Sequence, residues 1–591
     1  MWQQYRWQMI AFSTALVLFA IAFFSRMTTQ PVVNNPVATS TLVLTNATAI
    51  PEQITLATAE TVNTPPLPTL QVQDDMPTFR EAIVGRVQRL NPLYADLNTV
   101  DANITSLIFE GLIRINEYGE PVPSLAKSWV ISSDSLEYVL TLREDIQWQD
   151  GIPFNADDVL YTMSLLSDPS FDGLAELGAF WRTVETEKLA PHIVRFRLAQ
   201  PLASFLTSLT IGLLPEHALR GTTVAELATH PFNLTPIGTG AYQLEALRSP
   251  DTSTITAVDL RVSPIFRQRP EGQNSYAIER LSFVLFNTVD DAISALNTGL
   301  VDGYASRNRT EREAVLSSDN ATVFTTFAPS VGVLIYNWNE SENIRFFTEL
   351  RARVALQKGL NRIAPVEAHL INQAISADSP IMQNSWAYAS NLVYPATDST
   401  EALTLLLSAN ISTSTINAEA TQEPDQVAEI YAFSILVVDD PSLVSLANEI
   451  AAQWAQLRLA VTVEAVSSEE YNSRIAEGLF QTAIVELSQG ADPDPFPYWH
   501  VGQSPDGKNW GSMADDRLSE LLERARRDPN GLNRIILYRS FQESFLERAV
   551  AIPLYYPLFS YAVNTRIQGV QVGFIGATTE RFRNIAQWST N

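Results

Sequence analysis

The sequence predicts an α/β protein built as two lobes. Its 591 residues exceed what one ordinary hydrophobic core holds, so two or more lobes are expected. Between Met76 and about Leu334, short strand-like runs alternate with helical and turn segments, which argues for layers of both kinds. Farther along, Phe433 to Val438 reads as a buried strand, Pro441 to Leu457 as an amphipathic helix and Leu459 to Glu464 as a second strand. Such a strand, helix, strand unit belongs to a mostly parallel sheet.

Taken in order, the chain starts with an apolar run from Met9 to Phe24, broken only by Ser13 and Thr14 and flanked by Arg6 and Arg26. The run is a little under the roughly 20 residues that span a bilayer, and Trp2, Tyr5 and Trp7 can extend it as an interfacial belt. A cleaved signal peptide is the rival, since Ala20-Ile21-Ala22 offers small residues for cleavage. Phe23 and Phe24 carry the apolar run past that point and favour an uncleaved membrane helix over residues 1–26. Either route exports the body. Residues 27–76 are rich in Thr, Pro, Asn, Val and Ala without a sustained period and read as an extended linker.

Leu136 to Leu142 is a β-branched and aromatic run with partial alternation, suited to a half-buried strand. Asp150-Gly151 marks a turn, and Asn155 with Asp158 three residues later forms the capping pair of a helix carrying Val159, Leu160 and Met163. For Trp148, Asp150 and Asp158 the expected role is therefore architectural. Ile193 to Leu198 and Leu281 to Phe286 read as strands, and Ala409 to Glu423 as a polar surface insertion. Thr482 to Leu487 reads as a strand that runs into Gln489-Gly490-Ala491-Asp492-Pro493-Asp494-Pro495. Two carboxylates on a proline-stiffened loop at a strand end stand where sheets commonly meet a ligand, against the alternative of a plain turn with solvated acids.

Composition narrows the function. Lys and Arg total 39 against 65 Asp and Glu, a net charge of -26, which argues against nucleic acid or an anionic lipid surface as partner. There is no cysteine, hence no disulfide, no thiolate metal site, no thiol nucleophile and no lipid-attachment cysteine. His192, His217, His230, His369 and His500 form no i, i+4 pair, so no metal cofactor is expected. Gly-x-Ser-x-Gly, a phosphate-cradling Gly-rich loop and His-Glu-x-x-His are all absent, so an enzyme reading has no residues to stand on.

Several segments carry a resemblance. Phe109-Glu110-Gly111-Leu112, Pro123 to Trp129 and Trp148-Gln149-Asp150-Gly151-Ile152-Pro153-Phe154-Asn155-Ala156-Asp157-Asp158-Val159 follow one another at the spacing of the peptide-class (family 5) extracellular solute-binding proteins that feed ABC importers. Ile237 to Tyr242 resembles that family's GTGPY turn with Ala241 in place of proline, Asp290 to Gly303 its helix and turn, and Tyr336-Asn337 through Leu356 a further segment. Ser385-Trp386 stands where the family has a Ser-Trp pair, and the likeness runs from about Phe79 to about Val570. It implies a two-lobed periplasmic-binding-protein-like fold, with lobe I at 77–335 plus 556–591, lobe II at 336–555, and crossings near Leu334 to Asn337 and Pro553 to Pro557. A ligand would be enclosed by closure about those crossings.

The same resemblance implies the site. In the family's W.ADY.dP loop an aspartate pairs with the ligand's α-amino group; Asp492 matches it best. Gln489 stands in the place of the tryptophan and the loop is shortened, so Asp494 is the alternative. Trp386 and Tyr388 are the expected aromatic walls, Trp510 matches a cleft-side strand, and Arg351 and Arg353 match a helix where a structural role is expected. The function so implied is an extracytoplasmic, membrane-tethered monomer that captures a small peptide or similar polar solute and delivers it to an ABC permease. Rival readings are a ligand sensor or scaffold on the same fold, or a binder of a glycan, opine or metal chelate.

Overall fold

The computed structural model describes residues 76–251, 254–270, 275–339, 346–409 and 430–590. The expected membrane helix, nearly all of the linker and residues 410–423 of the polar insertion lie outside them.

The first described strand is β1 (Thr78–Val84). Strands β2 (Ala126–Ile131), β3 (Glu137–Leu142), β4 (Val184–Ala190) and β5 (Ile193–Leu198) form a separate antiparallel sheet in the order β2-β3-β5-β4. In β3, Tyr138, Leu140 and Leu142 are buried while their neighbours are half-buried, the period-2 pattern that the sequence announced. Helix α1 (Ala156–Ser167) follows β3 and begins at the capping pair: the Asn155 side chain accepts from the Asp157 amide at 2.7 Å, and Asp158 Oδ2 accepts from the Asn155 amide at 3.0 Å. Asp158 does more than cap. It is buried, and it accepts from Trp148 Nε1 at 3.3 Å and from the Glu216 amide at 2.9 Å, so one carboxylate ties three segments together.

The larger sheet adds β6 (Tyr242–Arg248), β7 (Ala257–Val262), β8 (Arg280–Phe286), β9 (Gly303–Ala305), β10 (Ala321–Phe327), β11 (Ser330–Tyr336) and β12 (Ala374–Ser376). After these come β13 (Tyr431–Val438), helix α2 (Pro441–Ala455), β14 (Leu459–Val466) and β15 (Thr482–Ser488). Helices α3 (Asp516–Arg527) and α4 (Gly531–Glu547) lead to the last long strand, β16 (Ile552–Asn564). Among the described residues twelve strands join this sheet: the order is β14-β13-β15-β11-β16-β9-β1-β8-β7-β6, with β10 and β12 also paired to β16. The β13-α2-β14 unit is parallel in continuous register from Tyr431 opposite Leu459 to Val438 opposite Val466. Its α2 starts at Pro441 behind an Asp440 cap, where a missing N–H costs nothing.

Strand β16 joins the two halves of the sheet. Its first residues pair with β11, and its later residues pair with β9 and β10. Such a strand is enclosed on both faces, which matches its almost unbroken apolar run from Ile552 to Val563. Next to it in β11, Gly332 leaves room for the Tyr555 ring; a Cβ there would stand 2.3 Å from that ring.

One hydrophobic cluster runs from Phe79 to Phe283 and takes in Phe559 to Trp588; two others draw chiefly on residues 331 to 556. The tail is fastened to the first cluster by charge as well as by packing. Arg581 Nε and Nη2 donate to Glu81 Oε1 at 3.0 and 2.7 Å, and Tyr561 donates to Oε2 at 2.9 Å, all inside the core.

Candidate functional site

Strand β15 delivers the 489–494 loop, and the loop is held by its own side chains. Gln489 is buried: its amide donates to Pro329 O at 2.9 Å, its Nε2 donates to Pro380 O at 2.5 Å, and its Oε1 accepts from the Met382 amide at 3.0 Å. Trp386 Nε1 donates to Ala491 O at 3.2 Å. Two loops, 380–388 and 489–494, therefore form one surface. Asn384 belongs to it, with both amide atoms buried and no hydrogen-bond partner among the described residues.

Asp492 is not a solvated acid. Its two oxygens accept from Arg534 Nη2 and Nη1 at 2.7 and 2.6 Å, a bidentate pair whose side chains are 8% and 7% exposed. Arg534 comes from the first turn of α4; its Nε donates to Ala525 O at 3.1 Å and its Nη2 to the Tyr538 hydroxyl at 2.8 Å. Its guanidinium lies 5.0 Å from the Trp386 ring centre. Burial works against the charge of Arg534, yet the Asp492 carboxylate and Tyr538 outweigh it and raise the guanidinium above its ordinary pKa.

Asp494 is likewise paired. Arg526, at the end of α3, donates Nε to Asp494 Oδ2 at 2.5 Å while stacking on Phe496 at 3.9 Å. Asp494 Oδ1 accepts from the Phe496 amide at 3.1 Å. Burial, the largest influence, pushes this carboxyl above the usual range, and Asp492 adds to that while Arg526 pulls against it. The reading of the loop as a turn with solvated acids is thus corrected: both carboxylates are withdrawn from water by arginines of two consecutive helices.

The loop stands where the hydrophobic clusters meet. Burial pushes the Tyr138 phenol of β3 up to about 12, with Arg534 pulling it down and Asp492 pushing it up. Tyr138 donates to Leu202 O at 3.1 Å, and the next amide, Ala203, donates to Arg526 O at 2.7 Å. A Cβ on Gly576 in the C-terminal tail would lie 2.8 Å from the Ala491 nitrogen. The tail thus reaches the loop at Ala491, and the segment at Ala203 reaches the arginine that pairs with Asp494.

Trp386 therefore sits with Asp492, Arg534 and Tyr538, whereas Tyr388 faces elsewhere. The Tyr388 hydroxyl donates to Asp378 at 2.9 and 3.1 Å, and Tyr556 donates to the same carboxylate at 3.0 Å. Burial and Asp378 both raise the Tyr388 phenol. Trp510 occupies a turn rather than the expected strand, 6.0 Å from the Tyr498 ring, in a narrow cavity shared with Trp338, Trp499 and Lys508. Arg353 is structural as expected, donating to Phe347 O, Thr348 O and Arg548 O and stacking 3.9 Å above Trp338. Arg351 donates to Ser408 O at 3.0 Å. The residues that sequence reasoning missed are Arg534 and Arg526. A signal for the first existed: Arg534 lies four residues before Tyr538 on the face that carries Leu537 and Phe541 into the core.

Comparison with known proteins agrees with this architecture. The chain is 22% identical over 525 residues to the dipeptide-binding protein of Escherichia coli strain K12, covering 85% of this chain and 93% of that one. The structure resembles that of HbpA2 from Haemophilus parasuis, with a TM-score of 0.72, 19% identity, and coverage of 87% and 100%. It also resembles NikZ from Campylobacter jejuni, solved in complex with Ni(L-His), with a TM-score of 0.65, 26% identity, and coverage of 87% and 99%. Residues 120–509, about two thirds of the chain, match the model of the bacterial extracellular solute-binding proteins, family 5. With that match and this fold, the chain belongs to the family 5 bacterial extracellular solute-binding proteins.

Proposed function

We propose that this protein captures small peptides, or a similar small polar solute, in a cleft between two lobes and delivers them to the permease of an ABC importer. The observation that carries the reading is the position of the 489–494 loop, which meets Gly576 of the C-terminal tail on one side and is paired with Arg526 and Arg534 on the other, with Ala203 bonded to Arg526 O. A loop so placed changes its surroundings whenever the two sides move. On this reading lobe I comprises 77–335 and 556–591, lobe II comprises 336–555, and the hinge is where β11 and β16 run side by side near Leu334 and Pro553.

Trp386 and the partnerless Asn384 amide would meet the solute's main chain, with Asp492 and Asp494 behind them in their arginine pairs. Tyr388, bonded to Asp378, and Trp510, in its separate cavity, are left outside this contact surface. Residues 1–26 would tether a monomeric body outside the cytoplasm, with 27–76 as spacer. No catalytic step is assigned.

Mass spectrometry of whatever is released when the purified protein is denatured tests this directly. A mixture of short peptides is expected. A single sugar, opine or metal chelate in place of peptides refutes the peptide assignment while leaving the fold untouched.

A further inference from the structure

Arg309 follows β9, in the half of the sheet that holds β1, but its guanidinium reaches across to the other half. Its Nε donates to Glu486 Oε1 of β15 at 3.1 Å, its Nη2 is paired with Asp440 Oδ2 at the start of α2 at 3.1 Å, and its Nη1 donates to Gln373 Oε1 beside β12 at 2.5 Å. The side chain is 7% exposed, so these contacts are enclosed. Burial works against the charge, yet Tyr555, Glu486 and Asp440 outweigh it and raise the guanidinium above its ordinary pKa. Arg312 of the same segment is also buried and donates to Asn372 O and to Thr325 Oγ1, the latter at 3.2 Å.

Each partner of Arg309 holds a further element. Asp440 gives its other oxygen to the Ser442 and Leu443 amides, both at 3.0 Å, and so caps α2. Glu486 Oε1 also accepts from the Tyr555 hydroxyl at 2.8 Å, and Gln373 O accepts from the Leu558 amide at 2.9 Å, both on β16. Two carboxylates from separate elements therefore converge on one cation. Without it they would repel each other, and Glu486, whose side chain is 38% exposed, would gain hydration by moving away. Three residues beyond Glu486, β15 has passed into Gln489 and the 489–494 loop.

We propose that Arg309 is a positioning residue between the lobes: it clamps β15 and the start of α2 to the half of the sheet that carries β9, and so sets the angle between the lobes and, through Glu486, the place of the 489–494 loop. This rests on the two-lobed reading given above and names a residue that governs its movement. Hydrogen bonds from one planar guanidinium to three elements are directional, so they favour one angle over others.

The chain has no cysteine, so V130C/I536C places one spin label on β2 and one on α4 at exposed positions. Double electron–electron resonance on the full 591-residue chain in detergent then reads the distance between them. R309Q in this background is expected to raise the ratio of long to short distances about tenfold or more. E486Q, which leaves Arg309 its Asp440 partner, is expected to raise it about threefold, and it decides the point where R309Q fails to fold by circular dichroism. A two-peaked distribution that stands unaltered in both variants overturns the clamp and leaves two moving lobes. A single sharp distance, the same in all three proteins, overturns both. No solute enters the measurement, so a failed peptide assignment does not touch it.

Discussion

At the scale of single residues, Asp492 and Arg534 show why a motif's chemistry cannot be moved from one chain to another without its surroundings. The loop that carries Asp492 is recognisable, yet the partner is forty-two residues downstream on another element. A buried bidentate pair contributes less net stability than its geometry suggests, because desolvation of both ions opposes the attraction. Breaking it is another matter. D492N or R534Q singly is expected to lower the unfolding free energy by about 3–5 kcal/mol, whereas the double variant D492N/R534Q falls within about 2 kcal/mol of the unmodified protein. Urea denaturation of the three variants measures this, and additive losses would show that the two side chains act independently. Gln489 makes the same point in neutral form: it replaces the tryptophan of the resembling loop, and its side chain donates one hydrogen bond and accepts another, which a lone indole N–H could not do together.

At the scale of elements, the sequence signals were strongest where a local rule is sufficient. The capping pair at Asn155 and Asp158 needs only three residues of spacing, and the structure forms it. Asp158 then acquires Trp148 and Glu216 as partners that no local rule supplies. N155A should therefore cost about 1 kcal/mol, the loss of a cap, and D158A about 3 kcal/mol, since it leaves buried donors unpaired. Thermal unfolding of the two variants ranks them, and equal losses would reduce Asp158 to a simple cap. In β11, Gly332 faces Tyr555 of β16 at a distance that leaves no room for a methyl group. G332A is expected to destabilise by about 1–3 kcal/mol through overpacking. Because β11 and β16 form the proposed hinge, the same variant should also slow ligand-driven closure measured by stopped-flow tryptophan fluorescence.

For the whole molecule, charge and burial act on stability in the same direction. The chain carries a net charge of -26, so its compact form repels itself at neutral pH. Burial is also the largest influence on Glu81, Asp101, Asp158, Asp494 and Glu580, and it raises each above its ordinary value of 4.5 for Glu or 3.8 for Asp. Between those ordinary values and the raised ones the folded state binds more protons than the unfolded state, so stability is present at the acidic side and lost as pH rises. Urea midpoints should therefore fall as pH rises above the ordinary carboxylate range at constant ionic strength, and D494N should make the decline shallower. A midpoint that climbs across this window would show that the arginine partners dominate.

The sequence by itself determined the α/β class, the strands and the capped helix, because a period of two, a turn dipeptide and a cap are properties of a few neighbouring residues. It also determined the family, through motifs whose order and spacing persist in a single chain. Only the tertiary structure decided that Asp492 and Asp494 are neutralised, that Tyr388 serves Asp378, that Trp510 lines a different cavity, and that β16 runs through both halves of one sheet. Those facts depend on which distant residue arrives beside which, and in a low-dielectric interior the arriving charge sets the chemistry of the residue it meets.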